Sequence, residues 1–154
     1  QEAVVSGDTR LTYSDLDLHV GRIAAGLRAR GVEKGDRVAL LLSNRWEFIA
    51  TMMGCLRLGA IAVPINIREG TPELAFTLRQ CGAKIAVHGI DVADRLPAPA
   101  DLPALSHRFC VGGTVVGSDA FDTLPAQTPL TDAVPPHEDD IAGRTRRRGG
   151  ASAP

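Results

Sequence analysis

Aromatic side chains, cysteines and long apolar runs are all scarce in this sequence, and each scarcity excludes a class of protein. Aromatic residues make up only 4% of the chain, whereas 44% is hydrophobic, which is an aliphatic but ordinary globular composition. The longest apolar stretch, residues 38–42, is far shorter than the roughly 20 residues that cross a bilayer. The first residues show no basic segment followed by an apolar core. We therefore expect a cytoplasmic protein without a transmembrane segment.

The cysteines and histidines are too scattered to suggest a bridge or a metal site. Cys55, Cys81 and Cys110 are odd in number and widely spaced, which fits neither a disulfide framework nor a zinc site. Each is expected to be a buried thiol in a reducing compartment. No pair of the four histidines has the i, i+4 spacing of a helical metal site. The sequence therefore assigns no metal-binding residue.

The charges are unevenly placed along the chain. The net charge is −1, but Arg144, Arg146, Arg147 and Arg148 lie close together near the end, and every acidic residue precedes Ile141. A mildly acidic body argues against a nucleic-acid-binding domain. Residues 143–154 have no apolar periodicity and are expected to form a disordered Arg/Gly-rich tail.

Residues 1–90 show helix and strand signals in alternation. Thr12 and Asp15 have the spacing of a capping box, and Gly31 is placed to end the helix that follows. The continuous apolar run at 38–42 is typical of a strand covered on both faces. Further strands are predicted at 61–63 and 84–88. Together these signals predict an α/β fold with a parallel sheet flanked by helices.

Two further helices are predicted between these strands. Ser43 and Asn44 are candidate caps for the first, which ends at Gly59. The second begins at the Thr-Pro pair at 71–72. The buried stripe expected on the first consists of Ile49, Met52, Met53 and Leu56. After residue 89 the signals weaken, leaving one strand expected at 109–111 and one helical turn at 120–124.

The chain lacks the usual loops that bind phosphate. The turn after the strand at 38–42 has no glycine that would let the backbone approach a pyrophosphate. Gly112 and Gly117 are followed by Ser118 and Asp119 and lack a phosphate-binding lysine, so this segment is expected to be a surface turn. No Gly-x-Ser-x-Gly elbow is present. The residues alone therefore assign no catalytic and no cofactor-binding residue.

The order of several short motifs nevertheless resembles the adenylate-forming (AMP-dependent synthetase/ligase) superfamily. The matching strings are LTYSDL at 11–16, GVEKGDRVA at 31–39, NRWEF at 44–48, LRLGAIAVPIN at 56–66, Glu73-Leu74, and Ala83-Lys84. Each string alone is weak, but their shared order makes coincidence improbable. Asn66 with Arg68 is similar to the acyl-CoA synthetase branch. The resemblance implies that residues 1–142 are the N-terminal portion of an AMP-binding (adenylation) domain.

The resemblance also implies an activity for the parent enzyme. Such enzymes join a carboxylic acid, often in fatty acid metabolism, to CoA through an acyl-adenylate, using ATP and Mg²⁺. Their phosphate-binding loop lies downstream of the motifs found here, and no catalytic residue carries over to this chain. The string His-Glu-Asp-Asp-Ile-Ala at 137–142 is similar to the lead-in to that loop, but an arginine-rich segment follows it. We expect an inactive N-terminal fragment that binds none of these molecules tightly, with the reading frame lost near Ala142.

Two other interpretations stay open at this point. One is a different α/β nucleotide enzyme such as an oxidoreductase, which the absent glycine fingerprint disfavours. The other is a non-catalytic binding or interaction module whose basic tail contacts nucleic acid or an anionic surface. The sequence leaves undetermined which acid the parent enzyme activates, whether CoA or a carrier protein accepts the acyl group, and the oligomeric state.

Overall fold

A computed structural model describes residues 1–131, and the chain opens with a β-hairpin. Strands β1 (Glu2–Ser6) and β2 (Thr9–Thr12) pair antiparallel, and Gly7 at the turn between them has a φ of 57°. The sequence analysis did not predict this hairpin. In the described part of the chain, no helix is both long and apolar enough to span a membrane.

A five-stranded parallel sheet forms the centre of the fold. The strand order is β4-β3-β5-β6-β7. The strands are β3 (Arg37–Leu41), β4 (Ile61–Pro64), β5 (Ile85–Gly89), β6 (His107–Val111) and β7 (Asp119–Ala120). The helices are α1 (Tyr13–Ala29), α2 (Trp46–Leu58) and α3 (Thr71–Cys81), with 3-10 helices at Ile90–Arg95, Pro99–Asp101 and Phe121–Thr123. The predicted α/β class, with helices flanking a parallel sheet, is confirmed.

The alternating side chains of β3 separate two hydrophobic cores. Val38 and Leu40 pack with α1 and α2 on one face of the sheet. Ala39 and Leu41 pack with α3 on the other. All four side chains are fully buried, which confirms that this strand is covered on both faces.

The ends of α1 form as the sequence predicts. Thr12 Oγ1 accepts from the backbone N–H of Asp15, and Asp15 Oδ2 accepts from that of Thr12, both at 3.1 Å. The hydrogen bond from the Thr12 backbone is the main cause that lowers the pKa of Asp15. At the other end Gly31 has a φ of 86°, and the N–H of Val32 donates to the carbonyl of Leu27.

The predicted cap and buried stripe of α2 are wrong. The residue that precedes the helix is Arg45, whose side chain does not cap it, and both Ser43 and Asn44 are exposed. Of the predicted stripe, Leu56 is 68% and Met53 39% exposed, while Ile49 and Met52 are half-buried. The buried face instead carries Glu47, Ala50, Thr51, Gly54, Cys55 and Leu58.

The buried face of α2 differs from the predicted stripe because α1 approaches α2 closely. A Cβ atom added at Gly54 would lie 3.1 Å from Ile23 Cγ2 of α1. Small side chains permit this approach, so α2 turns Gly54 and Cys55 toward α1 and leaves Met53 and Leu56 exposed. The hydrophobic pattern predicts burial of the large apolar side chains, but close packing against α1 decides which face is buried.

The remaining predicted elements are mostly confirmed. α3 begins after Gly70 and ends at Gly82, whose φ is 59°. β6 contains the predicted strand at 109–111, and the 3-10 helix Phe121–Thr123 is the predicted helical turn. The strand β7 was not predicted. The predicted disordered tail at 143–154 and the acidic lead-in at 137–142 lie outside the described residues.

Residues 123–130 form a strap that crosses the outer side of α1. The N–H of Ala126 donates to the carbonyl of Arg22 at 2.9 Å, and the N–H of Leu130 donates to that of Gly21 at 2.8 Å. A Cβ atom at Gly26 would overlap the carbonyl oxygen of Leu124. The strap therefore fits α1 only because Gly21 and Gly26 have no side chain.

Two arginines hold the strap at its ends. Arg30, beyond the last turn of α1, donates to the carbonyls of Thr123 and Leu124 and lies over the ring of Phe109 at 4.9 Å from its centroid. Arg57 of α2 donates to the carbonyl of Leu130 at 3.1 Å. All these bonds end on backbone oxygens, and the buried side chain of Leu124 adds packing against the core.

Substitution Gly26→Ala tests whether the strap is packed this tightly. Helix propensity alone favours alanine by about 1 kcal/mol. Because the added Cβ atom would overlap Leu124, we expect destabilisation of about 1–3 kcal/mol instead. Urea unfolding followed by circular dichroism measures the change. Ser14→Ala, at an exposed position of the same helix, is the control and should shift stability by less than about 0.5 kcal/mol. A stabilised Gly26→Ala chain would show that the strap does not rest on α1.

Candidate functional site

The carboxyl edge of the parallel sheet has the geometry of a site. β3 is followed by α2 on one face of the sheet. Its neighbour β5 is followed by the 3-10 helix Ile90–Arg95, whose Val92 packs in the core on the opposite face. Loops that leave adjacent parallel strands toward opposite faces leave a crevice between them, and open α/β sheets bind ligands there. The residues that follow β3, β5 and β6 therefore define the candidate site.

An ion pair at the start of α2 forms one wall of this site. Arg45 donates from Nε and Nη2 to the two carboxylate oxygens of Glu47, at 2.9 and 3.3 Å. Glu47 is only 7% exposed, so its carboxylate is largely removed from water, whereas Arg45 is half-buried. A two-pronged bond of this kind fixes the guanidinium and offsets its charge. The sequence analysis missed the pair because residues two apart on a helix do not normally face each other.

A shallow depression of about 360 Å³ lies beside this ion pair. Its lining includes Cys110 at the end of β6, the glycines that follow, and Asp122. Gly112 has a φ of 90°, and a Cβ atom on Gly113 would lie 3.1 Å from Ile90 Cδ1. The glycines thus let the loop after β6 lie against the loop after β5. The segment from Gly112 to Gly117 is a connecting loop, and its lack of a phosphate-binding role stays a prediction.

A buried histidine ties the same loop to the sheet. His88 has no exposed surface; its Nδ1 lies 2.9 Å from the carbonyl oxygen of Gly89, and its Nε2 lies 2.7 Å from Ser118 Oγ. A carbonyl can only accept, so Nδ1 carries the proton and the Ser118 hydroxyl donates to Nε2. Burial is the main cause that lowers the pKa of His88, and the positive charge of Arg108 lowers it further. The hydrogen bond to Gly89 and the charge of Asp91 oppose this shift.

The cysteines do not supply a reactive thiolate to the site. Burial raises the pKa of Cys55 to about 12. Burial also raises the pKa of Cys110, and the charge of Asp91 adds to the effect. Cys55 and Cys110 are buried as predicted, whereas Cys81 is half-buried, and all three are free thiols. A thiol that stays protonated is a poor nucleophile, so Cys55 and Cys110 serve packing.

The charged and metal-ligating side chains of residues 1–131 bear on whether the crevice could hold a metal ion or a nucleotide. Within them, no three His, Cys, Asp or Glu side chains lie close enough together to hold a metal ion. The charge of Arg45 is offset by Glu47, and His88 is too deeply buried to reach a substrate. The arrangement shapes a crevice whose lining includes one exposed carboxylate, that of Asp122. The sequence predicts no catalytic, cofactor-binding or metal-binding residue in this chain, and this stays a prediction.

Other residues of the matching motifs fix turns at the opposite edge of the sheet. Asp36 Oδ2 accepts from Lys84 Nζ at 2.9 Å and from the backbone N–H of Glu33 at 2.8 Å. The hydrogen bond from Lys84 is the main cause that lowers the pKa of Asp36. The N–H of Gly35 donates to the carbonyl of Gly59 at 2.9 Å, which joins two of the matching motifs. These residues act on the shape of the fold.

Comparison with known proteins connects this chain to the AMP-binding enzymes. The family model described as AMP-binding enzyme matches residues 1–143. A long-chain-fatty-acid–CoA ligase of Mycobacterium tuberculosis is 44% identical over 101 residues, which cover 64% of this chain and 20% of that protein. A feruloyl-CoA synthase of Amycolatopsis sp. is 44% identical over 96 residues, covering 62% of this chain and 20% of that protein.

A solved structure agrees with the sequence matches. An anthranilate CoA ligase in complex with anthranoyl-AMP has the same fold, with a TM-score of 0.82 and 26% identity. The match covers 91% of this chain and 27% of that one. The chain thus spans about a fifth of the length of the curated relatives it matches first, and about a quarter of this structure.

The lowered pKa of His88 predicts a stability that depends on pH. A histidine in the unfolded chain titrates at its usual value of 6.5, whereas the buried ring resists protonation. The unfolded state then binds more protons, so the unfolding free energy should fall as pH drops through 6.5, by at most about 1.4 kcal/mol per pH unit. The loss should stop below the pKa of the folded state. NMR of the His88 ring and urea unfolding of the native chain and of His88→Gln test this prediction. A native ring that is half protonated at pH 6.5 contradicts it.

Proposed function

The chain belongs to the AMP-binding enzyme family, and from this premise we propose that it forms the N-terminal part of the adenylation domain of a carboxylic acid–CoA ligase. The observation that carries the proposal is the family match over residues 1–143, which includes every described strand and helix. The curated relatives that match are named as CoA ligases of fatty and aromatic acids. A ligase of this kind forms an acyl-adenylate from the acid and ATP, and the thiol of CoA then displaces AMP.

The described residues contribute the shape of the enzyme in this proposal, and other residues supply its chemistry. Activation of a nucleotide requires donors and a cation around its phosphates, because charge develops there as the adenylate forms. In this proposal none of residues 1–131 is assigned to ATP, Mg²⁺ or CoA. Their role is to build the two-faced sheet against which the active parts of the domain are positioned.

The free thiols support a cytoplasmic location for this reaction. All three cysteines are unpaired, and two of them are buried, as is typical of proteins in a reducing compartment. The relatives act on both aliphatic and aromatic acids by name, so we propose a carboxylic acid with a large apolar part as the substrate class.

A hybrid enzyme tests the proposed function directly. The matching part of the Mycobacterium tuberculosis long-chain-fatty-acid–CoA ligase is replaced by the corresponding residues of this chain. If both segments build the same scaffold, the hybrid should form acyl-CoA at a rate within about 100-fold of the parent, the loss expected from a small misplacement far from the chemistry. Formation of acyl-CoA is measured with a long-chain acid, ATP, Mg²⁺ and CoA.

The control hybrid carries the corresponding segment of the feruloyl-CoA synthase. That segment and the parent segment are each 44% identical to this chain. The proposal is wrong if the control hybrid is active while the hybrid with this chain folds, as judged by circular dichroism, and forms no acyl-CoA.

The 154-residue chain alone is predicted to be inactive. Its sequence contains no Ser-Gly-Thr-Thr-Gly loop with a following Pro-Lys-Gly, which this family uses to hold phosphates. We expect pyrophosphate release from ATP to equal that of a blank without protein, with either a long-chain or an aromatic acid. Acid-dependent pyrophosphate release that disappears after heating the protein would show that this chain has an active site of its own.

A further inference from the structure

A cavity of about 400 Å³ opens at the amino edge of the sheet, at the opposite edge from the candidate site. It lies between the end of α3 and the segment that leads into β6, and we call it the amino-edge cavity. Ligand sites in proteins have volumes of about 300–1,000 Å³ and mainly apolar linings. Among the described residues that line this cavity there is no aromatic ring, so a flat ligand has no stacking partner. The apolar part of its lining is aliphatic and includes Leu78, Ala83, Leu102, Pro103 and Leu105.

Backbone hydrogen bonds fix the walls of the amino-edge cavity. The N–H of Leu105 donates to the carbonyl of Leu102 at 3.0 Å, and the N–H of Ser106 donates to the carbonyl of Lys84 at 2.8 Å. Leu78 and Leu102 are each only 4% exposed and belong to the core on the α3 face of the sheet. The cavity is therefore a preformed opening into that core.

Two opposite charges lie side by side on the rim of the amino-edge cavity. Arg79 and Asp101 both line the cavity, and both are exposed. Arg79 Nε donates to the backbone carbonyl of Asp101 at 3.2 Å, which holds the two residues together. That bond uses one of the five N–H donors of the guanidinium, and the carboxylate of Asp101 takes no part in it. The rim therefore offers a donor and an acceptor at one place.

We propose that the amino-edge cavity binds an uncharged aliphatic molecule with a terminal hydroxyl group, such as a medium-chain alcohol. The aliphatic chain contacts the leucine side chains of the lining, and the hydroxyl accepts from Arg79 and donates to Asp101. A carboxylate accepts from Arg79 but is repelled by Asp101. An ammonium group donates to Asp101 but is repelled by Arg79. The proposal does not rest on the proposed ligase function.

Methyl NMR of the 154-residue chain, titrated with 1-hexanol, measures binding at the cavity. The methyl signals of Leu78 and Leu102 should shift in a saturable way, with a Kd on the order of 1 mM. Those of Leu27, which lies in the core on the other face of the sheet, should not move. From 1-butanol to 1-heptanol the Kd should fall about 4-fold for each added methylene, because each is removed from water.

Ligands with the same chain and different head groups test the rim. In the native chain, hexanoate and hexylamine should each bind about 10-fold more weakly than 1-hexanol, because each meets one like charge. Asp101→Asn removes the charge that repels hexanoate, so hexanoate should then bind at least as tightly as 1-hexanol. Arg79→Gln should have the same effect for hexylamine.

The control variant is Asp8→Asn, at an exposed carboxylate in the turn between β1 and β2, which should keep the native order of affinities. Asp101→Asn preserves the shape of an exposed side chain and leaves the bond from Arg79 to the backbone in place. It therefore keeps the test decisive if Arg79→Gln fails to fold, which circular dichroism reveals.

Several results would overturn the proposal. One is unchanged Leu78 and Leu102 signals with 1-hexanol up to about 10 mM, ten times the expected Kd. Another is a set of shifts that includes Leu27 equally, which would mean that the alcohol loosens the whole fold. A third is hexanoate binding to the native chain as tightly as 1-hexanol, or an order of affinities that Asp101→Asn leaves unchanged.

Discussion

The burial of β3 on both faces is the constraint on which the rest of this structure depends. Val38, Ala39, Leu40 and Leu41 have no exposed surface, and burying each large apolar side chain stabilises the fold by about 1.5–3 kcal/mol. The strand can be covered on both faces only if its connections place helices on opposite sides of the sheet. The same arrangement sends the loops after β3 and β5 apart and so opens the crevice at the carboxyl edge.

The parts of the fold that the sequence predicts correctly depend on local chemistry. A capping box, a glycine that ends a helix and an unbroken apolar run each involve residues a few positions apart, so their pattern is visible in the chain. The face of α2 is decided instead by how closely α1 approaches Gly54, which no local pattern encodes. The strap is equally hidden, because Arg30 and Leu124 are distant in sequence and the bond ends on a backbone oxygen.

The candidate site was predictable only in outline for the same reason. The sequence indicates a parallel sheet, and a parallel sheet implies a crevice at its carboxyl edge. Which groups line that crevice follows from pairings such as His88 with Ser118 and Arg45 with Glu47. The first joins two elements through a long connection, and the second depends on the uncapped start of α2. In both pairs the polar groups bond to each other, although the sequence alone gives no sign that they are engaged.

The motifs that identify the family are therefore set by the geometry of the fold. The groups that perform the family's chemistry are set by the reaction. Asp36, Gly35 and Gly59 match the family because a turn at the amino edge of the sheet needs a carboxylate acceptor and residues that permit its backbone. Beside the crevice, Arg45 and Glu47 pair with each other, whereas Asp122 on its rim is exposed. Membership in the family can thus be established from a scaffold alone, whereas the substrate must be determined from the residues that touch it.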